Sequence, residues 1–207
     1  MPSSTQTLPD GYIQTDEIDL AKNKGLAILL NVIGFFIFIL SFSLLGSFAN
    51  WMHPELSSGT ISIKANLLTI VRLLELLGLV ALLLVAHELI HGLFFWIFTR
   101  SKPVYALHLA YAYAAAPDWY IPINQYRIVG LGPLVIIDAI GLLLILTAPT
   151  SWILMIIFLA AINTGGAVGD MLIIARSFRM SADSLVKDKG DGVCYFEAVR
   201  AGEVLHK

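Results

Sequence analysis

The sequence has little cysteine and little charge, and each shortage excludes a class of protein. Cys194 is the single cysteine among 207 residues, which excludes an internal disulfide and a metal site built from several thiolates. Charged residues make up 14% of the chain, and the formal net charge of -2 leaves no basic surface for nucleic acid. Hydrophobic residues reach 57%, more than the roughly half found in soluble domains. The composition therefore indicates a membrane protein, in which any metal must be held by histidine and carboxylate.

The first 24 residues lack the basic start and apolar centre of a cleavable signal peptide. They are polar and carry four acidic side chains before the first lysine, Lys22. We interpret residues 1–24 as a soluble, loosely ordered cytosolic leader. Residues 177–207 are again too polar for lipid and too few for a separate domain, so we expect them to form a cytosolic tail.

Four long apolar runs between residues 25 and 176 predict four transmembrane helices. A helix needs about 20 mostly apolar residues to cross the hydrocarbon core of a bilayer. Four segments meet that length: about 26–48, 67–98, 128–146 and 152–175. The predicted fold class is therefore an all-α membrane protein with one transmembrane domain.

Basic residues near the ends of these spans predict their orientation. With the N-terminus in the cytosol, seven basic residues fall on the cytosolic side: Lys22, Lys24, Arg100, Lys102, Arg127, Arg176 and Arg179. Lys64 alone falls in an outer loop. We therefore expect a multi-pass protein of the cell membrane with both termini in the cytosol.

The connection between the second and third spans, residues 101–125, is apolar and rich in tyrosine, but prolines interrupt it. Its stretch from Val104 to Tyr113 is too short to span, so we expect a hairpin or a re-entrant segment at the inner interface. Its aromatic residues indicate either an interfacial aromatic belt or contacts with a substrate: Tyr105, Tyr111, Tyr113, Trp119 and Tyr120. His108 in this segment is expected to be a surface residue.

The second span contains the motif His87-Glu88-Leu89-Ile90-His91, which has the HExxH pattern of zinc hydrolases. Two histidines four residues apart leave the same face of a helix one turn apart, so both rings can reach one Zn²⁺. Glu88 can then act as the base that takes a proton from the metal-bound water. Apolar residues flank the motif, and polar groups at such depth usually mark function, although polar contacts between helices are the alternative reading.

Three intramembrane carboxylates are candidates for the third metal ligand: Glu75, Asp138 and Asp170. At 1.5 Å per residue Glu75 lies about 37 Å from the cytosolic end of its span, far from the histidines at about 14 and 20 Å. The distance from the cytosolic end of the span does not decide between Asp138 and Asp170 as the third ligand. The small residues before Asp170 favour it, because they allow close packing of helices. Asp138 can instead pair with Arg72.

Three local patterns together resemble the putative zincin peptidase family. They are His-Glu-Leu-Ile-His-Gly followed by Phe94-Phe95, then Gly132-Pro133 in the next span, and a late Asn-x-x-Gly-x-x-Gly-Asp ending at Asp170. The resemblance covers roughly residues 67–196. This family consists of small four-helix bacterial membrane proteins similar to site-2 intramembrane zinc metalloproteases. The late motif differs from that of site-2 proteases in lacking a proline after the asparagine.

The resemblance implies a Zn²⁺ site made of His87, His91 and Asp170, with Glu88 as catalytic base. It also implies Asn163 as a candidate substrate-orienting group. The expected function is that of an intramembrane metalloprotease that cleaves a transmembrane protein substrate near the cytosolic face. A non-catalytic membrane scaffold or chaperone and a metal-binding membrane protein, such as a transporter, are the alternatives.

Overall fold

The computed structural model of this 207-residue chain describes residues 3–58, 67–107 and 112–199. Most of the described residues are helical. The α-helices are α1 (Lys24–Met52), α2 (Leu67–Thr99), α3 (Ile123–Thr147), α4 (Thr150–Gly166) and α5 (Val168–Ser177). A short 3-10 helix, Pro54–Ser58, follows α1.

Helices α1, α2 and α3 are long and apolar enough to cross a membrane. The broken pair of α4 and α5 is a fourth candidate if the two helices form one span. Large apolar side chains such as Phe36, Leu82 and Leu143 are exposed along these helices. Apolar exposure of this extent is typical of a surface that faces lipid. The helices therefore agree with the predicted spans, although the fourth is interrupted at Ala167.

The structure also contains two small antiparallel sheets, so the all-α prediction is wrong in this respect. The strands are β1 (Tyr12–Asp19), β2 (Val104–Leu107), β3 (Ala112–Ala115), β4 (Ile121–Pro122), β5 (Leu185–Asp188) and β6 (Gly192–Ala198). Four of them form one sheet in the order β1-β6-β5-β4, and β2 pairs with β3.

The leader is not loosely ordered as predicted, because it forms an edge strand of the larger sheet. Strand β1 pairs with β6 from Tyr12 opposite Ala198 to Asp19 opposite Gly192. Strands β5 and β6 form a hairpin whose turn contains Gly190 at φ +94°, a conformation that favours glycine. The partner strand β6 of the leader lies more than 170 residues away in sequence, so the polar composition of the leader alone did not reveal the pairing.

The connection between α2 and α3 contains the β2–β3 pair, which matches the hairpin alternative. Val104 lies opposite Ala115, and Leu107 lies opposite Ala112. Residues 108–111, including His108, lie outside the described residues. The connection ends in β4, which joins the larger sheet beside β5.

One compact unit comprises the chain up to Ile28, the segment Glu88–Gly132 and the chain from Gly169 onward. It contains both sheets, the end of α2, the start of α3 and nearly all of α5. Two buried tyrosines join the larger sheet to helices. Tyr126 of α3 donates a 2.6 Å hydrogen bond to Asp188, and Tyr195 of β6 donates one to the Ile173 carbonyl. The hydrophobic core of this unit is Phe95, Ala116, Ile121, Ile123, Tyr126, Val129, Ile174, Val186, Val193 and Tyr195.

The second compact unit comprises Leu29–His87 and Pro133–Val168, and it is helical. Its α1 and α4 approach closely at a pair of glycines. A Cβ at Gly34 would lie 2.6 Å from the carbonyl oxygen of Gly165, so neither position has room for a side chain. The predicted small-residue packing is therefore confirmed at Gly165.

Candidate metal centre

Helix α2 runs unbroken through the HExxH motif, so helical geometry sets the spacing of its three polar side chains. His87 and His91 are one turn apart on one face, and Glu88 follows the first of them. His91 is buried at 7% exposure, whereas His87 and Glu88 are half-buried. The buried histidine must have its ring hydrogen bonds satisfied inside the protein.

The first partner of His91 is a backbone carbonyl. Its Nδ1 lies 2.9 Å from the carbonyl oxygen of Val129 on α3. A carbonyl can only accept, so Nδ1 of His91 donates to it, and the ring turns Nε2 away from this carbonyl. Such a partner holds the ring orientation that a metal ligand needs.

The Val129 carbonyl is available because of Pro133. In a regular α-helix the carbonyl of residue 129 accepts from the N–H of residue 133. Pro133 lies inside α3 and has no N–H, so this hydrogen bond within the helix is missing. The neighbouring Gly132 lets α2 come close, since a Cβ there would lie 2.3 Å from a ring carbon of Phe94. The Gly-Pro pair therefore explains how α3 receives the imidazole of His91.

Asp170 lies beside the other nitrogen of His91. Its Oδ1 is 3.5 Å from Nε2 of His91, and both residues belong to the same compact unit. Asp170 is in the first turn of α5, where the helix dipole favours a negative charge. The helix break at Ala167 creates this N-terminus, so the glycine-rich run places the carboxylate at the start of a new helix.

His87 is oriented by a chain of three side chains. Its Nδ1 lies 2.9 Å from Oδ1 of Asn163, and Nδ2 of Asn163 donates a 2.9 Å bond to Asp138. Thr164 donates a second hydrogen bond to the same carboxylate. Because the carboxylate of Asp138 accepts from the amide, the oxygen of Asn163 faces His87, and Nδ1 of His87 must be the donor. His87 therefore also directs Nε2 away from its partner.

Together, His87, His91 and Asp170 could hold a metal ion. One ligand atom from each lies within 4.8 Å of the others. Tetrahedral zinc bonds of about 2.0–2.2 Å place neighbouring ligand atoms roughly 3.4 Å apart, close to the spacing between His91 and Asp170. Two neutral imidazoles and one carboxylate are a ligand set of catalytic zinc sites, which keep a fourth position for water. The residues thus fit zinc.

The remaining carboxylate candidates have other partners. Arg72 pairs with Glu75 at 3.0 Å, one turn along the same helix, and Asp138 accepts from Asn163 and Thr164. The predicted pairing of Asp138 with Arg72 is therefore wrong. A neighbour on the same helix satisfies the arginine, and the amide and hydroxyl of α4 satisfy the aspartate.

Sequence reasoning missed Val129 as a partner of the site, because a backbone carbonyl leaves no residue-type signal. The role of Pro133 could have been found, since a proline inside an apolar span always leaves the carbonyl four residues earlier without its helical partner. The sequence indicated Asn163 as a substrate-orienting group, and that role stays a prediction. Both ends of its amide are engaged, one by His87 and the other by Asp138.

Long apolar helices that carry an HExxH motif and a nearby aspartate define a zincin-like class of protein. The comparison with family models agrees with this class. The model described as "Putative zincin peptidase" matches residues 80–185, just over half of the 207 residues, and the chain belongs to that family. No curated protein and no solved structure matches the chain significantly.

Proposed function

We propose that this protein is an intramembrane zinc metalloprotease that hydrolyses a peptide bond of a membrane protein near the cytosolic face. The observation that carries the proposal is the orientation of the two histidines. Both donate from Nδ1 to a protein partner, and one ligand atom from each histidine lies within 4.8 Å of a carboxylate oxygen of Asp170. Polar side chains with such defined partners inside an apolar helix are the pattern of a functional site rather than of helix packing.

The larger sheet supports an even number of membrane crossings. Strand β1 precedes α1, and β6 follows α5, yet the two strands are hydrogen-bonded to each other. This pairing supports a common side of the membrane for both ends of the helical region. Strand β4, between α2 and α3, joins the same sheet. This arrangement supports four crossings, with α4 and α5 as one broken span, and the basic residues make the shared side the cytosol.

Glu88 is the proposed general base of the reaction. Zinc held by His87, His91 and Asp170 would supply Lewis acidity and lower the pKa of a bound water. Glu88 accepts a proton from the attacking water and passes it to the leaving amine of the cleaved bond. Asn163 and the Val129 carbonyl hold the two imidazoles in place while the proton moves.

The substrate must present an extended peptide bond. A helical segment shields its own carbonyls, so a transmembrane substrate has to unwind locally before hydrolysis. The strand pair β2–β3 follows α2 directly, and its strand β2 offers exposed residues such as Val104 and Leu107. An extended segment could add to this pair through backbone hydrogen bonds.

The test compares the purified wild type with Glu88→Gln and Asp170→Ala. We expect wild-type protein to bind one zinc per chain, and Glu88→Gln to keep that zinc but lose at least about 10²-fold in cleavage of fluorescein-labelled casein. Asp170→Ala should lose the zinc. Metal content is measured by atomic emission, and natural substrates are sought by comparing membrane proteomes of cells with wild-type protein and with Glu88→Gln.

Glu75→Gln is the matched control, because it makes the same change on the same helix at a residue paired with Arg72. It should leave both zinc content and cleavage unchanged. Retained cleavage in Glu88→Gln would sink the mechanism. Absence of zinc from the wild type as well as from Asp170→Ala would instead favour a non-catalytic scaffold.

A further inference from the structure

Gly92, the residue after the second histidine, is covered by the hydroxyl of Tyr105. A Cβ at position 92 would lie 1.9 Å from this oxygen and 2.5 Å from the ring carbon that bears it. Both distances are shorter than any real contact of a Cβ atom. The hydroxyl of Tyr105 thus occupies the space that any side chain at position 92 would need, and the absence of one brings strand β2 onto helix α2.

The hydroxyl lies over the turn of α2 that carries the proposed base. Glu88 and position 92 are four residues apart and share one face of the helix. The bond from Cα to Cβ in a helix tilts toward the N-terminus, so a Cβ on residue 92 would point back toward Glu88. Because the Tyr105 oxygen lies where that Cβ would be, it is a neighbour of Glu88 within the same compact unit.

The hydroxyl is a hydrogen-bond donor at neutral pH. Partial burial raises the pKa of Tyr105, and the negative charge of Glu88 raises it further. The phenol therefore keeps its proton close to a carboxylate. Tyr105 as a residue is 48% exposed, so a bound peptide can approach it.

Such a donor accelerates peptide hydrolysis. The carbonyl oxygen of the scissile bond gains negative charge as water attacks, and a donor placed in advance lowers the barrier. The imidazole N–H groups and the amide of Asn163 already donate to protein acceptors. The Tyr105 hydroxyl, in contrast, carries a proton that it can donate and lies beside the proposed base Glu88. A bound peptide can also approach this residue.

We propose that Tyr105 is a second catalytic residue, whose hydroxyl donates a hydrogen bond to the carbonyl oxygen of the scissile peptide as that oxygen gains negative charge. The inference rests on the proposed peptidase function. A catalytic role of Tyr105 gives strand β2 a part in the reaction. It also explains why glycine follows His91, since any side chain at position 92 would displace the hydroxyl.

The main test is Tyr105→Phe, assayed with fluorescein-labelled casein. Loss of the donor should lower kcat by about 10²- to 10³-fold, because the bond forms with the transition state. KM and zinc content should stay at wild-type values. Tyr113→Phe is the matched control, since it removes a hydroxyl from the paired strand β3, and it should leave kcat unchanged.

Gly92→Ala provides a second variant, because the added methyl group displaces the Tyr105 hydroxyl. Its kcat should fall as in Tyr105→Phe, and the double variant should be no slower than the slower single variant. A wild-type kcat in Tyr105→Phe, a rise in KM alone, or a loss of zinc would overturn the inference. If Glu88→Gln is inactive while Tyr105→Phe is fully active, the Tyr105 inference fails and the peptidase function stands.

A measurement that does not depend on activity tests the geometry. p-Benzoylphenylalanine at position 105 should photo-crosslink to the segment 88–92 of α2, as mapped by mass spectrometry. Absence of that crosslink in folded, zinc-loaded protein would overturn the inference even if Glu88→Gln also retained cleavage.

Discussion

At the scale of single residues, the site depends as much on what holds the histidines as on the histidines themselves. Asn163 engages His87 and Asp138 with opposite ends of one amide. The carboxylate determines which end of the amide faces the imidazole, and the amide determines which nitrogen of His87 carries the proton. We therefore expect Asn163 to act on a bound metal through His87.

Replacing Asn163 with alanine should weaken zinc binding by about 10- to 100-fold, the usual cost of removing a partner of a ligating histidine. Without this amide, the imidazole of His87 can rotate or adopt the other tautomer. Zinc affinity would be measured by competition with a fluorescent chelator.

Asn31→Ala is the control for Asn163→Ala, because it removes an exposed amide from another apolar helix, α1. It should leave zinc affinity unchanged. Equal affinities of Asn163→Ala and the wild type would show that the amide does not support the ligand. Asp138→Asn should weaken binding by less, because it removes only the orientation of the amide.

At the scale of secondary-structure elements, the helices serve the site where they are irregular. Pro133 leaves the Val129 carbonyl to His91, and the break at Ala167 starts α5 just before Asp170. A continuous α4–α5 helix would place the carboxylate in the middle of a helix without the favourable dipole of an N-terminus. Both irregularities lower the stability of the helices and supply polar groups to the site.

Pro133→Ala should make α3 more stable and the metal site weaker. The new N–H at position 133 competes for the Val129 carbonyl, so the zinc dissociation constant should rise by about 10-fold. Alanine also restores a helical hydrogen bond, so resistance of the zinc-free protein to unfolding should not fall. The two effects are measured by chelator competition and by thermal unfolding in detergent.

Pro149→Ala is the matched control for this change, because Pro149 is exposed at the N-cap of α4, away from the site. It should not alter zinc affinity. If Pro133→Ala bound zinc as tightly as the wild type, the Val129 carbonyl could accept from both the new N–H at position 133 and Nδ1 of His91.

At the scale of the whole molecule, the two ends of the described chain meet in one sheet, and a buried carboxyl joins this sheet to α3. Asp188 accepts from the Tyr126 hydroxyl and from the N–H of Gly190. Burial nevertheless dominates and raises the pKa of Asp188 from 3.8 to about 6. The folded protein therefore retains a proton that the unfolded chain releases at lower pH.

Stability should depend on pH through Asp188. Its protonated form favours folding, so this contribution is fully present below about pH 4 and is lost as the pH rises through about 6. The loss in unfolding free energy is on the order of 3 kcal/mol. Glu17 and Asp19 have the opposite effect on the pH dependence of stability. Lys189 lowers the pKa of Glu17, and Lys22 lowers the pKa of Asp19, so the stability that these two carboxylates contribute is lost as the pH falls.

Asp188→Asn isolates the effect of the buried group, because the amide resembles the protonated acid and does not titrate. Chemical unfolding in detergent micelles should show a smaller decrease of stability between about pH 4 and about pH 7 in this variant than in the wild type. An unchanged pH profile would show that other groups dominate.

The sequence by itself determined the apolar helices and the arrangement of His87, Glu88 and His91. Both depend on local properties, namely hydropathy over about 20 residues and the 3.6-residue period of one helix. The small residues before Asp170 also favoured this carboxylate among three, and in the structure it is the one that lies beside His91.

Only the tertiary structure decided what surrounds the motif. The β1–β6 pairing, the partner of Asp138, the Val129 carbonyl and the position of Tyr105 over Gly92 all join distant parts of the chain. Such contacts depend on packing and on backbone atoms, which residue type does not encode locally. The local motif identifies the candidate ligands, whereas long-range hydrogen bonds orient the histidines and packing against Gly92 places the neighbouring hydroxyl.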